Sequence, residues 1–200
     1  MIDDIRIEVN REELAEIRKK LGKLQEKAPI ALYRAINDAA SKAKTETKRA
    51  IAKQYNIAQK EVSPTLSISK ANRKKLWATL KSKGSPIALS KFAVSPKDRP
   101  TQKNGVYSPG VYKADVKRST GKRALDGSPK AFIAKMKSGH KGVVERISKK
   151  GKSLPLKQLY GPSAPSMMNN EEAMEQIMEM ADMTLQNRLE HHIQNILGGG

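Results

Sequence analysis

The chain has 200 residues, enough for one domain with a buried core or one domain with arms, and its 39 Lys+Arg against 20 Asp+Glu give a formal charge of +19. It contains no cysteine, which excludes a disulfide framework and a thiolate metal site. Its N-terminus opens on Asp3-Asp4 without the apolar run of a secretory leader, and no stretch approaches the ~18 apolar residues of a membrane span, so a soluble protein made and used without export is expected.

Ile5, Ile7 and Val9 alternate with Arg6 and Glu8, which predicts a half-buried strand. Asn10 is placed to cap the next helix, with Glu13 three residues on completing a capping box. In that helix Leu14, Ile17, Leu21 and Leu24 form one stripe, opposite Arg18, Lys19, Lys20 and Lys23. After Ala28-Pro29 a long helix is predicted to about Gln54, with Leu32, Ala35, Ile36, Ala39, Ala40, Ala43, Ala50 and Ile51 on its buried side. About 26 residues at ~1.5 Å each make a scaffold of roughly 39 Å. Tyr55-Asn56-Ile57 ends it, and one further turn fits between Ala58 and Val62 before Ser63-Pro64.

Leu66 and Ile68 then open a strand, and Leu76, Ala78 and Leu80 alternate with Trp77, Thr79 and Lys81 in another. Ile87, Leu89, Phe92 and Val94 are expected to stay extended, and Tyr112, Ala114 and Val116 to add a strand. Between them, Ser95–Gly110 has Pro96, Pro100, Gly105, Pro109 and Gly110 among Lys97, Arg99 and Lys103, with almost nothing apolar. Val116–Lys130 repeats the pattern with Lys117, Arg118, Lys122 and Arg123. Residues 95–130 thus read as a basic extended loop or hairpin arm within a single 1–200 domain, or as a solvated flexible loop.

The stretch Ala131–Met167 organises the rest. Phe132-Ile133 and Val143–Ile147 are short β-branched or aromatic runs around the turn signal Ser138-Gly139-His140-Lys141-Gly142, and Pro155–Tyr160 is a third extended run stopped by Gly161-Pro162. From about Asn170, a capping residue ahead of Glu171 and Glu172, a C-terminal helix carries Met174, Ile177, Met178, Ala181, Leu185, Leu189, His192 and Ile196 on one stripe, and Gly198 to Gly200 let it stop. Met167, Met168, Met174, Met178, Met180 and Met183 suit core packing there, or docking on a partner. The elements predict an α+β fold: a mostly antiparallel sheet packed against a long helix in the N-terminal half and a C-terminal amphipathic helix, with the basic arm.

Charge is strongly segregated. Met1–Glu46 has 10 Lys+Arg and 9 Asp+Glu, Thr47–Tyr160 has 28 and 5, and the chain from Gly161 onward has 1 and 6. The polycationic middle attracts polyanions by counterion release, whatever the chain does. Catalytic chemistry finds little support. His140 lies in a glycine turn with no acid placed to orient its imidazole, the Gly-x-Ser-x-Gly elbow is absent, and His191-His192 are neighbours on a helix and diverge. No phosphate-binding Gly-Lys-Ser/Thr follows Gly139 or Gly142.

The residues Phe132-Ile133-Ala134, Met136-Lys137-Ser138-Gly139-His140, Gly142-Val143 and Leu159-Tyr160-Gly161-Pro162-Ser163, with Pro165 and Met167, resemble the phage minor tail protein Z family. Ala35-Ile36-Asn37, Ala43-Lys44-Thr45-Glu46 and Tyr55-Asn56-Ile57 resemble its long helix and exit, so the resemblance covers most of the chain from about Pro29 to Leu197, leaving out the Lys- and Pro-rich middle from roughly Ser95 to Lys130. It implies a non-enzymatic tail-completion protein without cofactor or metal. Such a protein forms a homo-oligomer, a six-fold ring at the head-proximal end of the tail, and contacts the tail terminator, tail tube and head-tail connector, with no membrane partner. It would reside in the virion and, during assembly, in the host cytoplasm. Phe132, Gly139, His140, Tyr160, Gly161, Pro162, Ser163 and Pro165 become candidate subunit contacts or motif residues, while the charge of the middle segment, and not the resemblance, makes Lys97, Arg99, Lys103, Lys117, Arg118, Lys122 and Arg123 candidate contacts to DNA or a partner. The acidic C-terminal helix has the sign to meet the basic middle of a neighbouring copy. The competing reading is a sequence-independent nucleic-acid-binding protein, although Trp77, Phe92, Tyr107 and Phe132 are too scattered for a stacking platform.

Overall fold

The computed structural model describes residues 4–97, 111–127, 130–136, 139, 141–147 and 155–199. The fold is α+β, with five α-helices and nine strands among the described residues. The strands form three small antiparallel sheets, where the sequence suggested one. Strands of two to six residues, separated by Pro-, Gly- and Lys-rich connections, are too short to extend into one another. The chain is organised in two compact units: one of residues 1–50, 62–83 and 168–200, the other of 51–61 and 84–167.

In the first unit β1 (Asp4–Glu8), β2 (Leu66–Ser69) and β3 (Trp77–Ser82) form a sheet in the order β1-β3-β2. Ile5 and Ile68 flank Leu80 across the central strand, and Ile7 faces Ala78. Ile5, Ile7, Ala78 and Leu80 are buried while Arg6, Glu8 and Trp77 point outward, the alternation expected of a sheet with one wet face.

Helix α1 (Arg11–Leu21) starts on the predicted capping box: the Glu13 amide donates to Asn10 Oδ1 at 2.8 Å, and the Asn10 amide to Glu13 Oε2 at 3.1 Å. Acidic residues in its first turn and Arg18, Lys19 and Lys20 in its last complement the helix dipole. It ends at Gly22, whose φ of +52° a side chain would resist, and a 3-10 segment to Lys27 follows, so Leu24 lies beyond the α-helix. Asn10→Ala removes the cap and is expected to lower stability by about 1 kcal/mol, read as a shifted urea midpoint with unchanged slope.

Helix α2 (Ala28–Gln54) buries the predicted stripe, from Ala28 through Leu32, Ala35, Ile36, Ala39, Ala40 and Ala43 to Ala50 and Ile51. Two polar residues are buried with it. Thr47 turns its hydroxyl back onto the Ala43 carbonyl at 2.8 Å, and Glu46 receives the Gln176 amide at 2.7 Å with Arg49 at 3.6 Å. Gln176 belongs to α5 (Glu171–Leu197), which buries Ala173, Ile177, Ala181, Leu185, Leu189, Ile193 and Ile196. Ala173 and Ile193 take places that the sequence assigned to Met174 and His192. His192 Nε2 lies 3.2 Å from Asp38 Oδ2, which Arg188 also approaches at 3.6 Å. Asn170 stands at the N-cap, but its side chain makes no capping bond; its backbone oxygen accepts from the Met174 amide. Of the methionines, Met167 and Met168 are buried and Met183 is exposed.

The second unit begins with the end of α2 and the short α3 (Gln59–Val62), of which all but Val62 falls within it. One sheet has the order β4-β5-β6, from Ala93–Ser95, Lys113–Asp115 and Arg123–Ala124; the other has the order β7-β8-β9, from Phe132–Lys135, Lys141–Arg146 and Leu156–Gln158. Leu89–Lys91 is a 3-10 turn, where sequence alternation suggested extended chain. Within Val116–Lys130, read as part of a basic loop or hairpin arm, Arg123–Ala124 pairs antiparallel with β5, and the Leu125 amide bonds the Tyr112 carbonyl. Ile133 opposes Val143 and Phe132 opposes Val144, with Ile133, Val143 and Val144 buried. α4 (Ala164–Met168), which the sequence did not announce, follows the Gly161-Pro162 stop.

Candidate assembly surface

The Tyr160–Ser163 segment is built by two neighbours of the same unit. Beyond β9 the Leu159 amide donates to the Val143 carbonyl at 2.8 Å, and the Leu159 carbonyl accepts from the Leu89 amide at 3.0 Å. Ala88 and Tyr160 then form an antiparallel bridge, the Gly161 amide reaches the Ile87 carbonyl at 2.8 Å, and the Pro162 carbonyl accepts from the Ile87 amide at 3.4 Å. Proline is tolerated here because the ladder asks only for its oxygen.

Each motif residue then has a distinct physical task. Tyr160, its backbone held by this ladder, is 57% exposed, which makes it a projecting aromatic. Gly161 lies against the buried Phe92 ring: a Cβ on it would come to 2.6 Å from Phe92 Cε2 and 2.9 Å from Cζ. The Ser163 hydroxyl accepts from the Ser166 amide at 3.3 Å, and its carbonyl from the Met167 amide at 3.0 Å, so it caps α4, with Pro165 in the first turn. Phe132 is half-buried under the Arg146 guanidinium, whose carbon lies 5.2 Å from the ring centroid. Gly139 adopts φ +83°, a conformation that favours glycine, and its amide donates to the Met136 carbonyl at 2.9 Å. His140 lies outside the described residues.

Of the described candidate cations, Arg118 lies in a 3-10 turn and Arg123 in β6. Lys97 stands with Lys141 at a groove of about 340 Å3 whose apolar lining includes Phe92, Val94, Ile133 and Val143. Lys117 bridges to Tyr55, whose hydroxyl burial pushes above its ordinary range, and Asn56 donates to the Val116 carbonyl at 2.9 Å. Arg118 Nε reaches the Ala52 carbonyl at 3.3 Å near the end of α2, a site suited to a cation. Lys122 and Arg123 are exposed. Arg99 and Lys103 lie outside the described residues. The structure thus brings Tyr160–Ser163 together with Ile87–Phe92, and ties Lys117 and Arg118 to the exit of α2.

Among the described residues no set of three His, Asp or Glu side chains is placed to hold a metal ion, and no helix is long and apolar enough to cross a membrane. What the second unit presents is a projecting tyrosine and, at Lys117, Arg118 and Arg123, cations tied to neighbouring segments, an arrangement suited to contact. A family description, prophage minor tail protein Z (GPZ), matches residues 6–198. The chain belongs to the minor tail protein Z family. Its role is therefore structural, in the phage tail, and its place is the virion. No curated protein and no solved structure matches it.

Sequence reasoning overlooked the β2–β3 turn of the first unit. There Trp77, the chain's one tryptophan, lies beneath Arg6, with its guanidinium carbon 4.7 Å from the ring centroid, and Lys75, with Nζ at 5.4 Å. The signal was the run Lys70, Arg73, Lys74 and Lys75 between two alternating segments. It was hidden by the larger cationic excess of 95–130.

Proposed function

We propose that this tail protein is a non-enzymatic tail-completion subunit. It acts at the head-proximal end of the tail, in tail maturation and head-tail joining, as a homo-oligomeric ring of six copies. Membership of the minor tail protein Z family over nearly the whole chain is the observation that carries this reading. The segregated charge supports it, because a ring joins one patch of a subunit to a different patch of the next. The tail terminator, tail tube and head-tail connector are its partners; it is taken up from the host cytoplasm during assembly, and its cations meet DNA phosphates in the lumen without reading sequence. Deleting the chain from its prophage should leave heads and tails assembled but sharply reduce infectious particles, and Tyr160→Ala should reproduce part of that loss with an unchanged melting temperature. Undiminished infectivity after deletion contradicts the proposal.

The cationic excess of residues 47–160 favours a second reading, a nucleic-acid-binding protein without sequence preference. Replacing Lys117, Lys122 and Arg123 by alanine should then reduce the magnitude of the log-affinity against log-salt slope for duplex DNA by roughly 2–3, at ~0.9 per phosphate contact. An unchanged slope removes these three from any DNA contact.

A further inference from the structure

We infer that the β2–β3 turn with Trp77 is a docking surface for the acidic outer face of α5 in a second copy of this chain, an inference that rests on the ring proposed above. The turn is rigid before anything binds. Asn72 Oδ1 accepts from the Lys74 and Lys75 amides, both at 2.9 Å, and the Asn72 amide donates to the Lys75 carbonyl at 2.8 Å. From α2, Asn37 clamps Ala71 at both ends, accepting from its amide at 2.8 Å and donating to its carbonyl at 3.0 Å. Little backbone freedom is lost when such a turn is engaged.

It is also strongly cationic. Lys70, Arg73 and Lys74 are exposed, and among the described residues none of them has a carboxylate partner. Lys75 Nζ bonds Ser69 Oγ at 2.9 Å and, with Arg6, brackets the Trp77 ring, which remains 37% exposed. An exposed tryptophan steadied by an arginine and a lysine is the composition of an interface anchor.

The complement is on the same chain. Glu172, Glu175, Glu179, Asp182 and Glu190 recur at the three-, four- and eight-residue spacings that keep them on one side of α5, all exposed, and none forms an ion pair among the described residues. Met183, 49% exposed, sits on that face and offers a thioether to an aromatic ring. A duplex would satisfy the cations but leave the indole unused, because phosphate contacts need no apolar anchor. An acidic helix face bearing a methionine uses both. The two surfaces differ, so their pairing is heterologous and propagates from copy to copy until a ring closes.

The test uses the full-length chain and two charge-reversal variants, K70E/R73E/K74E and E175K/E179K/D182K, whose substitutions are all at exposed positions. Sedimentation at low ionic strength should show oligomers for the unaltered chain and monomers for each variant alone, with melting temperatures unchanged. An equimolar mixture should oligomerise again with the two variants alternating, because the turn of one and the helix of the other stay opposite in charge whether both are natural or both reversed. Variants that oligomerise like the unaltered chain overturn the pairing while leaving the ring standing. So does a turn variant that keeps its oligomers and loses only duplex DNA binding. An unaltered chain that stays monomeric overturns the pairing and the ring together.

Discussion

Leu80→Ala is expected to lower the unfolding free energy by about 2–5 kcal/mol, because Leu80 is fully buried at the centre of the three-stranded sheet and its loss leaves a cavity flanked by Ile5 and Ile68. At ~2–4 °C per kcal/mol for a chain of this length, the melting temperature should fall by roughly 4–20 °C. Thr79→Ala, one residue away on the opposite face of β3, serves as the control and should change stability by no more than about 0.5 kcal/mol. Equal losses from the two would mean that β3 does not have one buried face. Thermal melting followed by circular dichroism separates the cases.

The second large effect is at Gly161. Alanine there would put a methyl group 2.6 Å from the Phe92 ring, while the backbone is fixed by the hydrogen bonds to Ile87 on either side. Neither side can give freely, since Phe92 is itself buried, and the cost should be about 1–3 kcal/mol. Phe92→Leu alone also destabilises, by removing ring contacts. Combined, the two should cost less than their sum, because the smaller side chain makes room for the methyl, with a coupling of about 0.5–3 kcal/mol. Strict additivity would mean that Gly161 is not held to glycine by Phe92. A Gly161→Ala chain that folds but fails to support infectious particles would instead give the glycine a direct role in partner contact.

Features set by near neighbours along the chain are legible in the sequence itself. Ile5 and Ile7 alternate with charged residues, Asn10 and Glu13 cap one another across three positions, and the stripe of α2 is written in Ala35, Ile36, Ala39, Ala40 and Ala43. These depend on periods of two and 3.6 and on local donors and acceptors. Features set by distant parts of the chain are not legible there. Glu46 looks like a solvated helix residue until Gln176, 130 positions later, takes its carboxylate. Alternation tells which face of each strand is buried but not which strands pair, so three sheets read as one.

The candidate surface divides in the same way. The Tyr160–Ser163 pattern drew attention through its resemblance to a family, yet the reason for its glycine is a phenylalanine 69 positions away. The β2–β3 turn drew none, because its rigidity comes from Asn37 in a distant helix and its anchor from Arg6 in the first strand. Lysine and arginine counts alone pointed to residues 95–130. Held geometry, more than charge density, separates a docking surface from a solvated one.

A structural subunit of the tail must be found in the finished particle, at one place and in a fixed number of copies. Electron microscopy of purified virions carrying a gold label on the N-terminus of this chain tests that most directly. The account predicts label confined to the head-proximal end of the tail, arranged as a ring. Label absent from the virion, or gathered at the distal tip, would contradict it.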